Sequence, residues 1–213
     1  MIDFHLHTLI SDGDLEPRAL AALVMGAGVT RWAVTDHDAI DAWRALAGAP
    51  GLVPGVELSA ALAGREVHIV GLAFAPDDAA FNALLADQQR LRRERIHRLA
   101  ELIPAPWRRG LDVGALAAPP CVSPGRSHLA RALARRVPGG MGSVSPWLDD
   151  RQLAAAGVNP FPSPAAACAA IAAAGGLAIL AHPACYGGLA EIIPVVDACG
   201  AHLAGIEDRK SVV

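Results

Sequence analysis

Short apolar runs of β-forming residues recur along this chain, separated by stretches of helical spacing, and nearly every run stops at a histidine or a carboxylate. This alternation selects an α/β domain, because each helix must cover the apolar side of the strands it connects. Residues 2–5 read as a first strand, and 16–25 as a helix with Pro17 in its first turn, where a missing N–H is harmless. RWAVT (31–35) is a second strand, 40–47 a helix and 52–56 a third strand. Residues 57–71 carry two apolar stretches around Ala63-Gly64-Arg65-Glu66, the pattern of a strand pair joined by a turn.

The pattern breaks after Pro76. Residues 79–102 have long helical spacing with a charged face, and Pro104, Pro106, Pro119 and Pro120 then punctuate short helices. Alternation resumes with a helix over 163–174, capped by Ser163 and carrying Pro164 at its first position. A buried strand LAIL (177–180), a helix over 189–198 and a short strand at 205–207 follow. The expected layout is therefore an α/β part over 1–76, a helical insertion over 77–162, and the α/β continuation over 163–207.

The strand ends carry the chemistry. His5 and His7 end the first strand and, being two apart, point the same way. Asp36-His37-Asp38 ends the second, Glu57 follows the third, His68 lies on the strand pair and His182 follows LAIL. In a parallel α/β arrangement the C-terminal strand ends share one rim, so these side chains converge. Imidazoles and carboxylates without a thiolate suit Mn, Fe or Zn, and a carboxylate such as Glu57 can bridge two ions.

Other features bound the function. The chain has 213 residues, 53% of them apolar, and a formal charge of −3 without a Lys/Arg block, so no wide basic face for duplex DNA is expected. No stretch resembles a membrane span or a signal peptide, the Ala-rich run 165–181 being broken by Gly175-Gly176. Cys121, Cys168, Cys185 and Cys199 lack metal spacing and suit buried thiols in a reducing compartment, so a cytoplasmic location is expected. No Walker loop, GxSxG or Cys-His pattern competes with metal-assisted hydrolysis. His97 and His202 match no motif, and Trp107, Trp147 and Phe161 are expected in the core rather than as stacking platforms for bases.

Taken together, DFHLHTLISDG (3–13), AVTDHD (33–38), PGVELSA (54–60), VHIVGL (67–72), GRSHLARAL (125–133) and GGLAILAHP (175–183) resemble the PHP (polymerase and histidinol phosphatase) family of metal-dependent phosphoesterases. Within it the resemblance is to the nucleoside 3',5'-bisphosphate phosphatase and 5'-to-3' exoribonuclease group. It implies a distorted (β/α)7 barrel interrupted by a helical insertion. It also implies up to three divalent ions, Mn2+ first with Fe2+ or Zn2+ as alternatives. His5 and His7 would hold one ion; Glu57 would bridge it to a second, held also by His68 and His128; Asp12 and His37 would hold the third. Arg126 and His182 match positions used around the substrate phosphate, with His182 a candidate proton donor to the leaving group.

The implied reaction is hydrolysis of phosphomonoesters or terminal phosphodiesters by metal-activated water, on a small phosphorylated nucleotide or a short RNA end. Histidinol phosphate is the rival substrate, and a non-catalytic metal-binding module the rival class. The resemblance further implies a late Asp-x-His pair that would complete the first and third sites, and none follows Glu207. Residues 208–213 (DRKSVV) read instead as a non-native tail of adapter-like sequence, and the gene as truncated after 207.

Overall fold

The computed structural model describes residues 1–207; the 208–213 segment, read above as a non-native tail, lies outside the described residues. Strand β1 (Ile2–Leu6), helix α1 (Pro17–Gly26), strand β2 (Arg31–Val34) and the short helix α2 (Asp41–Ala45) open the chain. β1 and β2 are parallel, and α1 buries Leu20, Ala21 and Val24 against Leu6, Trp32 and Val34. Each fully buried Leu or Val there is worth about 1.5–3 kcal/mol.

Strands β3 (Gly55–Leu62) and β4 (Arg65–Leu72) form an antiparallel hairpin. The expected strand over 52–56 and the first half of the expected strand pair are thus one element. Pro54 supplies no N–H to a ladder, so only Leu52 bridges back to Trp32 before the strand begins at Gly55. The hairpin reverses at Ala63-Gly64, both at positive φ (50° and 78°), as a tight two-residue hairpin turn requires.

The 77–162 segment holds helices α3 (Ala79–Glu101), α4 (Ala105–Arg108), α5 (Arg126–Ala134), α6 (Met141–Val144) and α7 (Asp150–Ala155). Asp78 caps α3 by accepting the Phe81 N–H. A separate apolar cluster, running from Ile96 to Val158, joins these helices, with Trp107 and Trp147 packed edge to face at its margin. Helix α8 (Pro164–Ala173), with the expected Ser163 cap, strand β5 (Leu177–Leu180), helix α9 (Leu189–Cys199) and strand β6 (Leu203–Ile206) complete the described chain.

The main sheet is mixed, in the order β3-β4-β5-β6, with β5 and β6 parallel and the other pairs antiparallel. A single bridge, His37 to Glu57, links it to the β1–β2 pair beside the site. Closure into a seven-strand barrel is not seen among the described residues: β1 and β6 remain edges, with a groove between them lined by Phe4, Val70, Ile179 and Ile206. Strand periodicity explains what the sheet does for function. Val56, Leu58 and Ala60 of β3 and Val67 and Ile69 of β4 face the α8–α9 core, so Glu57, Ser59, Glu66 and His68 are forced onto the opposite face.

Candidate metal centre

That opposite face holds a buried cluster organised around one carboxylate. Glu57 is fully buried, and its two oxygens serve different partners. Oε2 lies 3.1 Å from His5 Nε2, 3.1 Å from His7 Nε2 and 3.4 Å from His37 Nδ1. Oε1 lies 3.3 Å from His68 Nδ1 and 2.9 Å from His182 Nε2. Asp12 closes the other end, 3.4 Å from His7 Nδ1 and 3.7 Å from His37 Nε2.

Three triads have ligand atoms close enough to hold an ion: His5–His7–Glu57, His7–Asp12–His37 and His37–Glu57–His68. The donors are all imidazole nitrogens and carboxylate oxygens, and His37 Nδ1 is buried with no hydrogen-bond partner, as an atom reserved for a cation would be. The residues present therefore fit a divalent metal centre. The identity of the metal is not fixed by this donor set, which Mn, Fe and Zn all accept.

Electrostatics point the same way. Burial alone would push the Glu57 carboxyl up, but the surrounding His37, His68 and His5 hold it well below the usual range. Burial would likewise lower His5, yet the charge of Glu57 and hydrogen bonds to Glu207 and Glu57 raise it to about 10. For His68 the same opposition ends at about 9, with Glu57 and Glu66 as the partners. His37 goes the other way: burial dominates and lowers it despite Glu57 and Asp12. The Glu57 carboxylate thus favours the protonated forms of His5 and His68, the preference expected beside a site suited to a cation.

Local structure explains the placement. Fully buried Asp36 accepts the Thr8 N–H (2.8 Å), the Thr8 hydroxyl (2.6 Å) and the Ser11 hydroxyl (2.5 Å), pinning the loop that carries His7 and Asp12. Gly13 makes that loop compact, since a Cβ there would sit 2.3 Å from the His7 carbonyl oxygen. Asp38, in a left-handed conformation (φ 51°), accepts the Ser59 N–H and hydroxyl at 2.8 and 2.7 Å and pairs with Arg92 of α3. His182 is also left-handed (φ 33°), with its N–H donated to Glu207 at 2.7 Å. The anchoring roles escaped sequence reasoning: Asp36 and Asp38 were grouped with His37 at the strand end without a role of their own, and Glu66 and Glu207 matched no ligand spacing.

Of the predicted site residues, His5, His7, Asp12, His37, Glu57 and His68 come together as expected. His128 does not join them in any of the three triads. It sits at the third position of α5, where Nδ1 accepts the Gly125 N–H at 3.1 Å and Nε2 lies 3.5 Å from Cys121 Sγ. Beside Glu57 and His68 stands His182, whose Nε2 is 2.9 Å from Glu57 Oε1 and 3.1 Å from His68 Nδ1. A helical N3 histidine is drawn to the free N–H groups of its own helix start. Arg126 pairs with Asp150 and lines a cleft of about 220 Å³ over the centre, together with Arg92, Arg95, Ser127, His182 and Cys185. Phe161 is buried under Arg92 and Arg95, and of the four cysteines Cys185 is exposed, contrary to the expectation of buried thiols.

No family model matches the chain. It is 34% identical over 194 residues to a 5'-3' exoribonuclease of Haemophilus influenzae, covering 86% of this chain and 69% of that protein. It is 31% identical over 207 residues to a 3',5'-nucleoside bisphosphate phosphatase of Chromobacterium violaceum, covering 87% and 67%. The chain belongs to the PHP-type family of metal-dependent phosphoesterases.

Other matches agree with the family. A 5'-3' exoribonuclease of Salmonella typhimurium is 33% identical over 197 residues, 86% of this chain and 66% of that protein. The chain thus spans about two thirds of the length of the curated relatives it matches. Among solved structures, an amidohydrolase from Chromobacterium violaceum with bound sulfate superposes with a TM-score of 0.77 at 26% identity, over 96% of this chain and 75% of that one. A Bifidobacterium adolescentis protein shares the fold at a TM-score of 0.66 and 24% identity, over 97% and 76%. Among the described residues, no helix of this PHP-family chain is long and apolar enough to cross a membrane.

Proposed function

We propose that this PHP-family chain carries the catalytic centre of a metal-dependent hydrolase acting on phosphate esters of nucleotides: 3',5'-bisphosphonucleotides or the 5' ends of short RNA. The observation that carries the reading is Glu57, whose two oxygens face two separate histidine groups inside an arginine-lined cleft. His5, His7, Asp12, His37, Glu57 and His68 would hold up to three divalent ions, with Mn2+ the proposed metal and His182 taking the role first expected of His128. When bound, such ions supply Lewis acidity, which lowers the pKa of water and draws charge from phosphoryl oxygens.

The chain's own residues supply the rest. Arg126 presents a planar guanidinium at the cleft wall, suited to pair two oxygens of one phosphate. His182 lines the same cleft with Nε2 turned to Glu57 and His68, so in this proposal it serves as a ligand of the second ion and not also as the proton donor to the leaving alkoxide. Asp36 and Asp38 keep the ligand loop and β3 from relaxing, so the centre is formed before substrate arrives. The finer fold reading, a distorted (β/α)7 barrel with residues 77–162 as an insertion, belongs to the same proposal, as does a cytoplasmic setting. Of the three curated relatives named, two are described as 5'-3' exoribonucleases and one as a nucleoside bisphosphate phosphatase, which favours this class over histidinol phosphate.

The test is phosphate release from a nucleoside 3',5'-bisphosphate, and nucleotide release from a short RNA, each with Mn2+ added. Release abolished by His7→Ala supports the reading. A chain that binds Mn2+ and releases neither product would overturn it.

A further inference from the structure

Two carboxylates outside the ligand triads touch the centre from opposite sides. Glu207, just past β6, places Oε1 3.0 Å from His5 Nδ1, while its Oε2 accepts the His182 backbone N–H. Its own N–H donates to the Leu180 carbonyl at 2.9 Å, which fixes the residue against β5. Glu66, on the same face of β4 as His68, places Oε1 3.2 Å from His68 Nε2, and Oε2 accepts from Arg95 at 2.8 Å.

In both cases the opposite ring nitrogen faces Glu57: Nε2 of His5 at 3.1 Å and Nδ1 of His68 at 3.3 Å. An ionised carboxylate only accepts, so the nitrogen facing Glu207 or Glu66 must carry a proton. That leaves one lone pair per ring for a cation, and it is a different nitrogen in each ring. Glu66 is itself held by Arg95, 1% exposed on α3, so the chain of contacts runs from the helical segment through Glu66 to His68.

We propose that Glu207 and Glu66 are positioning residues of the metal centre, locking His5 to present Nε2 and His68 to present Nδ1, and that Arg95 makes the second lock depend on helix α3. The inference rests on the metal-centre reading above. It also accounts for a buried Glu66–Arg95 pair, whose desolvation is costly unless every oxygen finds a donor.

Zn2+, being diamagnetic, is the probe. Its affinity is measured by calorimetry, and long-range 1H–15N correlation spectra of the loaded chain show which nitrogen of each ring is protonated. The expected wild-type signature is a protonated Nδ1 on His5 and a protonated Nε2 on His68. Glu207→Ala should weaken Zn2+ binding by about 10–100-fold and scramble the His5 signature while leaving His68 unchanged; Glu66→Gln should do the converse. Glu207→Leu keeps most of the volume without an acceptor, and stands in for Glu207→Ala if circular dichroism shows that variant unfolded. Wild-type affinity and unchanged ring signatures in folded variants would overturn the proposal alone. A wild-type chain that takes up no Zn2+ would overturn both it and the metal-centre reading.

Discussion

Raising the pH should tighten metal binding and loosen the ion-free protein at the same time. His5 and His68 hold protons up to about pH 10 and 9 respectively because Glu57 and an outer carboxylate attract them. A cation joining the His5–His7–Glu57 triad must displace the His5 proton, and one joining His37–Glu57–His68 must displace that of His68. At pH 7 this competition costs about 4 kcal/mol at His5 and about 3 kcal/mol at His68. Apparent affinity at each of these triads should therefore climb about tenfold per pH unit between pH 7 and 8.5, with about one proton released per ion. Isothermal titration with Mn2+ in buffers of different ionisation enthalpy measures both quantities. Without metal the sign reverses. Because the folded-state pKa values lie above the ordinary 6.5, their stabilisation is complete below pH 6.5 and fades as pH rises through 9 to 10. Flat affinity and no proton release across this range would refute the reasoning, because they would mean the histidines are already neutral.

His128→Ala should leave Mn2+ stoichiometry unchanged and cost about 1 kcal/mol of stability, the value of a lost helix-start hydrogen bond; His182→Ala should lower Mn2+ affinity, and the two are compared by titration and urea unfolding. Asp38→Asn removes the charge opposite fully buried Arg92 and should destabilise by about 3–5 kcal/mol in urea melts. Gly13→Ala forces the ligand loop away from the His7 carbonyl, and a loss of about 1–3 kcal/mol with weakened Mn2+ binding is expected; wild-type values for both would show that the loop is slack.

Much of this architecture is legible locally. The helix over 16–25, the LAIL strand and the Ser163 cap follow from spacing and end signals and occur within a residue or two of their expected places. The meeting of His5, His7, His37, Glu57 and His68 was legible because strand ends carry them, and Asp12 entered with the family resemblance. His128 shows where local reading stops: GRSH sits at a helix start, where its Nδ1 accepts the Gly125 N–H, a contact that the motif spacing does not announce. The merging of 52–56 with the hairpin depended on Pro54 and on the Trp32 backbone opposite it.

Sequence alone determines which side chains share a strand face, because alternation is a property of the backbone and needs no partner. That is why His5 with His7, and Glu66 with His68, were bound to act together. Tertiary structure alone decides which faces meet: that Glu57 of β3 stands between the histidines of β1 and β4, that His182 completes its second side, and that Glu207 lies 202 residues along the chain from the ring it holds. Those meetings depend on burial and long-range pairing of whole elements, which no window of neighbouring residues encodes.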